Sequence, residues 1–597
     1  MDTKRVRPGR SPGLGQAAFF GLLVAGPLLA VGPATIGPQA NCTYSSAAPA
    51  SVQAAVDAGY DDIRLVGGVT YTGNLFIGGD LDVTLSGGFA DCAAAAAGQL
   101  PTTPARSNLR SSAALSAAVI VAESGQRRRK VILRLLDIQP PAGATTTGSG
   151  LVVSGVLDAV LDRSRISRFR YSGAGGGVIV AGSDLLLMQS EISDNFGSNG
   201  GGLFCSNGSV ELDAASRLLL NVANGVGANL GHGGGAYLED CDLRSSGRVL
   251  PAALGGTSGI IGNRAGQSGG GIYADHSLVQ IHGGPLCGLS EVALCQPRLA
   301  IVALNRAGSK GGGLALHHSE AFIDFTQISQ NEALSEGGGI HVADNSNVRF
   351  GGLAALYPNY DRSHCHEGRL CDVLSGNRLR VDALVTGNGG GVAVVNSVFT
   401  GADLYFADNS AAAGNSLHAS GTSSTLLVQI LLKQAELAAN SLGLSAFEFS
   451  DTSTAEIRGS TLLSWHDQNV VVRAEGSATL NLRESLVGTF VPGDFSLQGV
   501  TNAVTTGECN AHIGATNQPE VFVIQADASD LDALDPIAPA PTGRLVDTCA
   551  SAAVEPSARD IYGRPRVARV SAAAPGQLLD IGALEVPTKT LFASSFE

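Results

Sequence analysis

Asp240, His276, His318 and Asp344 recur at one position of an internal repeat, and Glu239, Asp275 and His317 stand beside three of them. Imidazole and carboxylate are the side chains that ligate metal ions and move protons near neutral pH. Eight of the eleven histidines lie between His232 and His366, so imidazole is concentrated in this stretch. His318 and Asp344 are 26 residues apart, about one repeat, which would set them one strand spacing apart. The same types also suit tight turns, because short polar side chains tolerate left-handed backbone. That simpler reading is preferred, so no catalytic residue, metal ligand or cofactor is assigned from the sequence.

A second column runs Ile179, Phe204, Tyr237, Tyr273, Ala315, His341 and Ala393. Phe204, Tyr237 and Tyr273 would form an outward aromatic strip, and aromatic faces stack on apolar partners, sugar rings among them. Cover by an insert, or packing between neighbouring repeats, is the competing expectation. Gly231-His232-Gly233 matches a short motif of polygalacturonase-like hydrolases. Those enzymes also need clustered carboxylates, and the Asp61-Asp62 pair lies far away, in the first repeat. The glycine runs lack the strand and helix context of a phosphate-binding loop.

The elements that position these columns follow from the glycines, 79 of 597 residues. Three-glycine runs begin at Gly175, Gly200, Gly233, Gly269, Gly311, Gly337 and Gly389. Three residues after the first glycine stand Val178, Leu203, Ala236, Ile272, Leu314, Ile340 and Val392, and five after it stand Val180, Cys205, Leu238, Ala274, Leu316, Val342 and Val394. Both columns are apolar and two residues apart, so both point to one face of a short strand. Each repeat therefore reads as a glycine bend, a strand with an apolar inner face and a polar turn. One such coil cannot bury its apolar face alone, whereas stacked coils can, so the pattern predicts a parallel β-helix. Asn195, Asn263, Asn305, Asn331 and Asn409 precede the bends and would stack as an internal amide ladder.

The flanks extend the array. Leu161 to Ser167 recurs 26 residues later as Leu187 to Ser193, and Ala455-Glu456-Ile457-Arg458 aligns 23 residues on with Ala478-Thr479-Leu480-Asn481. Val52 to Val56 would be a short capping helix, with Ile63 to Val66 and Leu81 to Leu85 as the first strands. The organisation expected is an export signal over 1–40, an N-terminal cap and first coils over 41–110, the β-helix over 111–500, and a C-terminal cap and tail over 501–597.

Charge and cysteines bear on compartment and partners. The net charge of -14 disfavours nucleic acid as a partner. Lys4, Arg5, Arg7 and Arg10 precede an apolar stretch from Ala17 to Val31, which reads as a secretory signal cut between Ala34 and Ala40. No further apolar run is long enough to span a membrane. Ten cysteines in an exported chain read as disulfides. Pairing of sequence neighbours predicts Cys42–Cys92, Cys205–Cys241, Cys287–Cys295, Cys365–Cys371 and Cys509–Cys549.

An asparagine followed by Gly-Gly-Gly and an aliphatic residue resembles the repeats of bacterial polymorphic outer-membrane proteins. The opening from Val52 through Leu85-Ser86-Gly87-Gly88-Phe89 to Cys92 is similar to exported right-handed β-helix proteins of Gram-negative bacteria. Asp560 to Arg566 and Asp580 to Glu585 resemble the closing motif of the choice-of-anchor β-helix family. The resemblance implies right-handed coiling and an extracellular or outer-membrane location. The last hundred residues lack the alternating, aromatic-belted strands of a translocating barrel. The function expected is adhesion or glycan binding without catalysis. A polysaccharide lyase or hydrolase, or a purely structural envelope protein, are the alternatives.

Overall fold

Short parallel strands paired copy upon copy dominate the computed structural model, which is all-β: a right-handed parallel β-helix. It describes residues 32–46, 49–78, 82–112, 117–122, 129–155, 157–227, 229–246, 248–249, 259–285, 297–352, 365, 370–380, 387–434, 445–465, 470–531, 540, 545, 549–550 and 578–579. Successive coils add strands to a sixteen-strand first sheet, a third sheet and a fifteen-strand second sheet, and six central coils, from Phe196–Gly197 to Arg378–Leu379, add a two-residue strand to a fourth sheet. In one coil these are Asp242–Ser246, Gly259–Ile261, Ile272–Asp275 and Arg264–Ala265. The apolar columns pair in register: Leu203 with Ala236, Ala236 with Ile272, Ile272 with Leu314 and Leu314 with Ile340. All of these side chains are fully buried and belong to one continuous core.

The bends explain the glycine triplet residue by residue. Gly269 has φ +71°, a left-handed conformation that a Cβ would strain. A Cβ on Gly270 would collide with the carbonyl oxygen of Gly312 on the next coil, and one on Gly271 would meet the Gly313 oxygen at 2.6 Å. Beside the bend runs the amide ladder, which comprises Asn195, Asn221, Asn263, Asn305, Asn331, Asn377 and Asn409. Asn305 Nδ2 donates to Asn331 Oδ1 at 3.0 Å and to the Ile260 oxygen at 2.8 Å. Its Oδ1 accepts from Asn263 N at 2.9 Å and Asn263 Nδ2 at 3.0 Å. The ladder satisfies backbone and side chain together, as buried polar groups require.

A second inward polar column occupies the corner between the first and third sheets. Ser164, Ser190 and Ser216 accept there from the coil before, and near the far end Asn510 accepts from Ser485 N at 3.0 Å. Asp372 takes the same place, accepting from Thr326 N at 3.1 Å through one oxygen, while its other oxygen is buried without a hydrogen bond. Burial first, and then the neighbouring Asp324 carboxylate, pushes its carboxyl well above the usual range.

The ends depart from expectation in instructive ways. Ala34–Ile36 is a buried strand paired with Ile63 to Leu65, so a cut between Ala34 and Ala40 would remove a strand of the fold. Ala34 and Ile36 are fully buried in the core. Residues 1–31 lie outside the described residues. The capping helix spans Pro49–Asp57 and buries Val52 and Ala55 against the first coil. An unforeseen second helix, Cys92–Ala97, starts at Asp91, whose side chain accepts from Ala94 N at 2.8 Å, and ends at Gly98. Beyond residue 500 the stack continues through Val504–Glu508, Ala511–Ile513, Ala515–Thr516 and Ile524–Gln525. Ala455 pairs with Leu480, a 25-residue offset, so the 23-residue alignment was two residues out. A two-residue slip preserves which side chains face inward, so the period-two pattern does not detect it.

Disulfides join Cys42 to Cys92, Cys205 to Cys241 and Cys365 to Cys371. Cys509 is also disulfide-bonded, while Cys287, Cys295 and the Cys549 side chain lie outside the described residues. Among the described residues no helix is long and apolar enough to cross a membrane.

Candidate functional site

The outward side of the second sheet gathers the residues of both columns. Phe204, Tyr237 and Tyr273 occupy one register position, and Glu239, Asp275 and His317 occupy the outward position two residues on. The turn that follows holds Asp240, His276, His318 and Asp344, with φ of +50°, +49°, +47° and +57°. Each turn donates its backbone N–H to the next coil: Asp240 to the Asp275 oxygen, His276 to His317 and His318 to Asp344. The left-handed turn is thus real, and it also fixes the polar side chains one coil apart along a line. Asn345 is left-handed as well (φ +61°), an extra residue at this corner that the count of positions did not reveal.

The aromatic rings stack on one another. Phe204 and Tyr237 are 5.5 Å apart at 12°, and Tyr237 and Tyr273 are 5.1 Å apart at 13°. Both faces of Tyr237 are therefore covered, and the half-buried strip offers ring edges and hydroxyls where exposed faces were expected. Tyr273 meets His317 at 5.2 Å and His232 at 4.6 Å, so the glycine-flanked His232 belongs to this packing. Burial, with the Glu239 and Asp275 charges, pushes the Tyr237 phenol up to about 12, and burial pushes Tyr273 up as well. Both hydroxyls are therefore neutral donors at physiological pH.

Carboxylate and imidazole pair along the same face. Asp344 Oδ2 lies 2.7 Å from His317 Nδ1, so the partner of Asp344 is His317, one residue before the His318 expected from spacing. That hydrogen bond holds the Asp344 carboxyl below its ordinary range. Asp275 Oδ1 lies 2.9 Å from His276 Nδ1 and 3.3 Å from His318 Nδ1. The His276 and His318 rings stack at 4.6 Å and 12°. Further along, Glu336 receives His341 Nε2 at 2.9 Å and Lys310 Nζ at 2.8 Å, and these partners, His341 first, pull its carboxyl down to about 2. Burial lowers His341, so its ring is neutral and donates through Nε2.

Sequence reading singled out Tyr237, Tyr273, Asp240, His276, His318 and Asp344, and all six lie along this face. It did not place Glu336 and Lys310, which immediately precede glycine triplets and so flank the strand at the bend. Asn221 and Asn377 of the ladder were also missed, because each stands twelve residues before its triplet. The signal that finds them is the asparagine with a small or aliphatic residue two positions on, as in Asn221-Val222-Ala223 and Asn377-Arg378-Leu379. No family model, curated protein or solved structure matches the chain.

Proposed function

We propose that the protein is an exported β-helix that binds polysaccharide or cell-surface glycan along the outward side of its second sheet, without cleaving it. The observation that carries this reading is the regular placement of phenol, carboxylate and imidazole on successive coils, about 4.8 Å apart. A ladder of donors and acceptors at that spacing suits an extended chain of hydroxyl-bearing rings. Recognition then rests on hydrogen bonds donated by the Tyr237 and Tyr273 hydroxyls and accepted by the carboxylates, since the ring faces are already stacked. Export, and a place outside the cell or at the outer membrane, is supported by the basic and apolar N-terminal residues and by the disulfides. The resemblance to polymorphic outer-membrane repeats and to the choice-of-anchor closing motif points the same way.

A polysaccharide-cleaving enzyme is the second reading, favoured by one contact: the Asp344 carboxylate orients the His317 imidazole at 2.7 Å, as a general base requires. A screen of the purified chain against a polysaccharide array separates the two. The binding reading expects retention without new reducing or unsaturated ends, and weaker retention in Tyr237→Phe plus Tyr273→Phe, which keep the rings and remove the hydroxyls. Release of ends that disappears in His317→Ala would establish catalysis. Neither retention nor release would leave a structural envelope role.

A further inference from the structure

Within this face, Asp275, His276 and His318 form a group of their own. We propose that they bind a borderline transition-metal dication, with Zn2+ as the type ion. This inference stands apart from the glycan reading, since it uses only the donor set. The three donor atoms, Asp275 Oδ1, His276 Nδ1 and His318 Nδ1, all lie within 4.8 Å of one another. The two contacts to Asp275 Oδ1 are 2.9 and 3.3 Å. A tetrahedral ion about 2.0–2.1 Å from each donor would hold them about 3.3 Å apart, so the two oxygen–nitrogen distances already suit it, and the stacked rings must turn to aim both Nδ1 atoms at one ion.

The backbone explains why the donors meet. His276 and His318 sit at the same left-handed corner of consecutive coils, which gives both rings the same direction and stacks them. Asp275 precedes His276 at the strand end, and its Oδ1 reaches the Nδ1 atoms of both rings. The side chains are 56 % exposed for His276, 47 % for His318 and 30 % for Asp275, so the rings can turn and an ion can enter from solvent. Without metal, one carboxylate oxygen faces two imidazole nitrogens and accepts their protons. An ion would replace those protons, moving each ring to the tautomer protonated at Nε2. Binding therefore competes with protons and weakens as pH falls. Two nitrogen donors select zinc, copper or nickel over calcium and magnesium, which take oxygen ligands. The remaining coordination positions would be open to water or another oxygen donor.

Isothermal titration of the full disulfide-bonded chain, free of any histidine tag, tests the proposal with Zn2+ and Ca2+ in the absence of polysaccharide. One Zn2+ per chain is expected at pH 7.5, with weaker binding at pH 5.5 and no saturable heat from Ca2+. The double variant His276→Ala plus His318→Ala should lower affinity at least about tenfold. The adjacent His317→Ala should leave it within about threefold, and circular dichroism should show each variant folded. Cu2+ bound to the wild-type chain should show two nitrogen couplings by electron paramagnetic resonance, absent in the double variant. Absence of saturable Zn2+ binding, unchanged affinity in the double variant, or an equal loss in His317→Ala would each overturn the assignment. Because no glycan is present, none of these outcomes bears on polysaccharide retention.

Discussion

Two polar columns climb the same coils on opposite sides of the glycine bend, and they differ in kind. The inner column is asparagine at seven levels, each amide bonded to the next and to backbone. The outer turn column changes identity from coil to coil, Asp240, His276, His318, Asp344, and its imidazoles remain largely exposed. Uniform identity with every bond made marks a column that holds the stack. Varied identity at a turn that any short polar residue could form marks a column free to carry chemistry. Asp372 is the instructive exception: a group able to ionise, placed in an inner column whose other polar members are neutral.

Substitutions can break or sharpen this contrast. The largest effect is expected from Asn305→Ala, which leaves Asn263 N, Asn263 Nδ2 and the Ile260 oxygen without their side-chain partner. A loss of about 3 kcal/mol follows from several buried groups left unpaired, read as a lower urea midpoint. Gly270→Ala comes next, at about 2 kcal/mol, because the new Cβ meets the Gly312 carbonyl across the coil interface.

Asp372→Asn is predicted to act in the opposite sense. The folded carboxyl titrates above its unfolded value, so its contribution is fully present below the unfolded carboxylate range and is lost as pH rises through the folded value. At pH 8 the variant should be more stable than wild type by about 1 kcal/mol, and at pH 3 nearly equal to it. Asn510 shows the arrangement the new amide can adopt, donating to the Leu482 oxygen at 2.7 Å while accepting from Ser485 N. Denaturation midpoints at the two pH values check the sign, and a variant that keeps the wild-type pH dependence would contradict it. The smallest effect belongs to the outer column, where His276→Asn, still suited to the left-handed turn, should change stability by no more than about 0.5 kcal/mol. If His276→Asn proved as damaging as Asn305→Ala, the division between holding and acting columns would fail.

The sequence made legible what repeats and left obscure what does not. Ile272 and Leu314 announce the inner face because the apolar alternation returns with every triplet. Asn221 escaped because the residues between it and Gly233 broke the spacing, although its Asn-x-Ala context was intact. The outward direction of Tyr237 was readable from alternation, but the stacking that covers its faces depends on side-chain torsions of three coils at once. The Asp344 partner was misplaced by one residue, at a corner that also carries the extra residue Asn345. The short helix Cys92–Ala97 was signalled by Asp91, the alanine run and Gly98, local cues that a search for repeats passes over.

The most direct test measures polysaccharide retention and thermal midpoint together, on wild type and on Tyr237→Phe plus Tyr273→Phe plus Asp344→Asn. Retention is expected to be lost while the midpoint stays within about 2 °C. Retention that survives the triple variant, or that disappears only as the midpoint falls, would contradict the claim that this outer face binds without holding the fold.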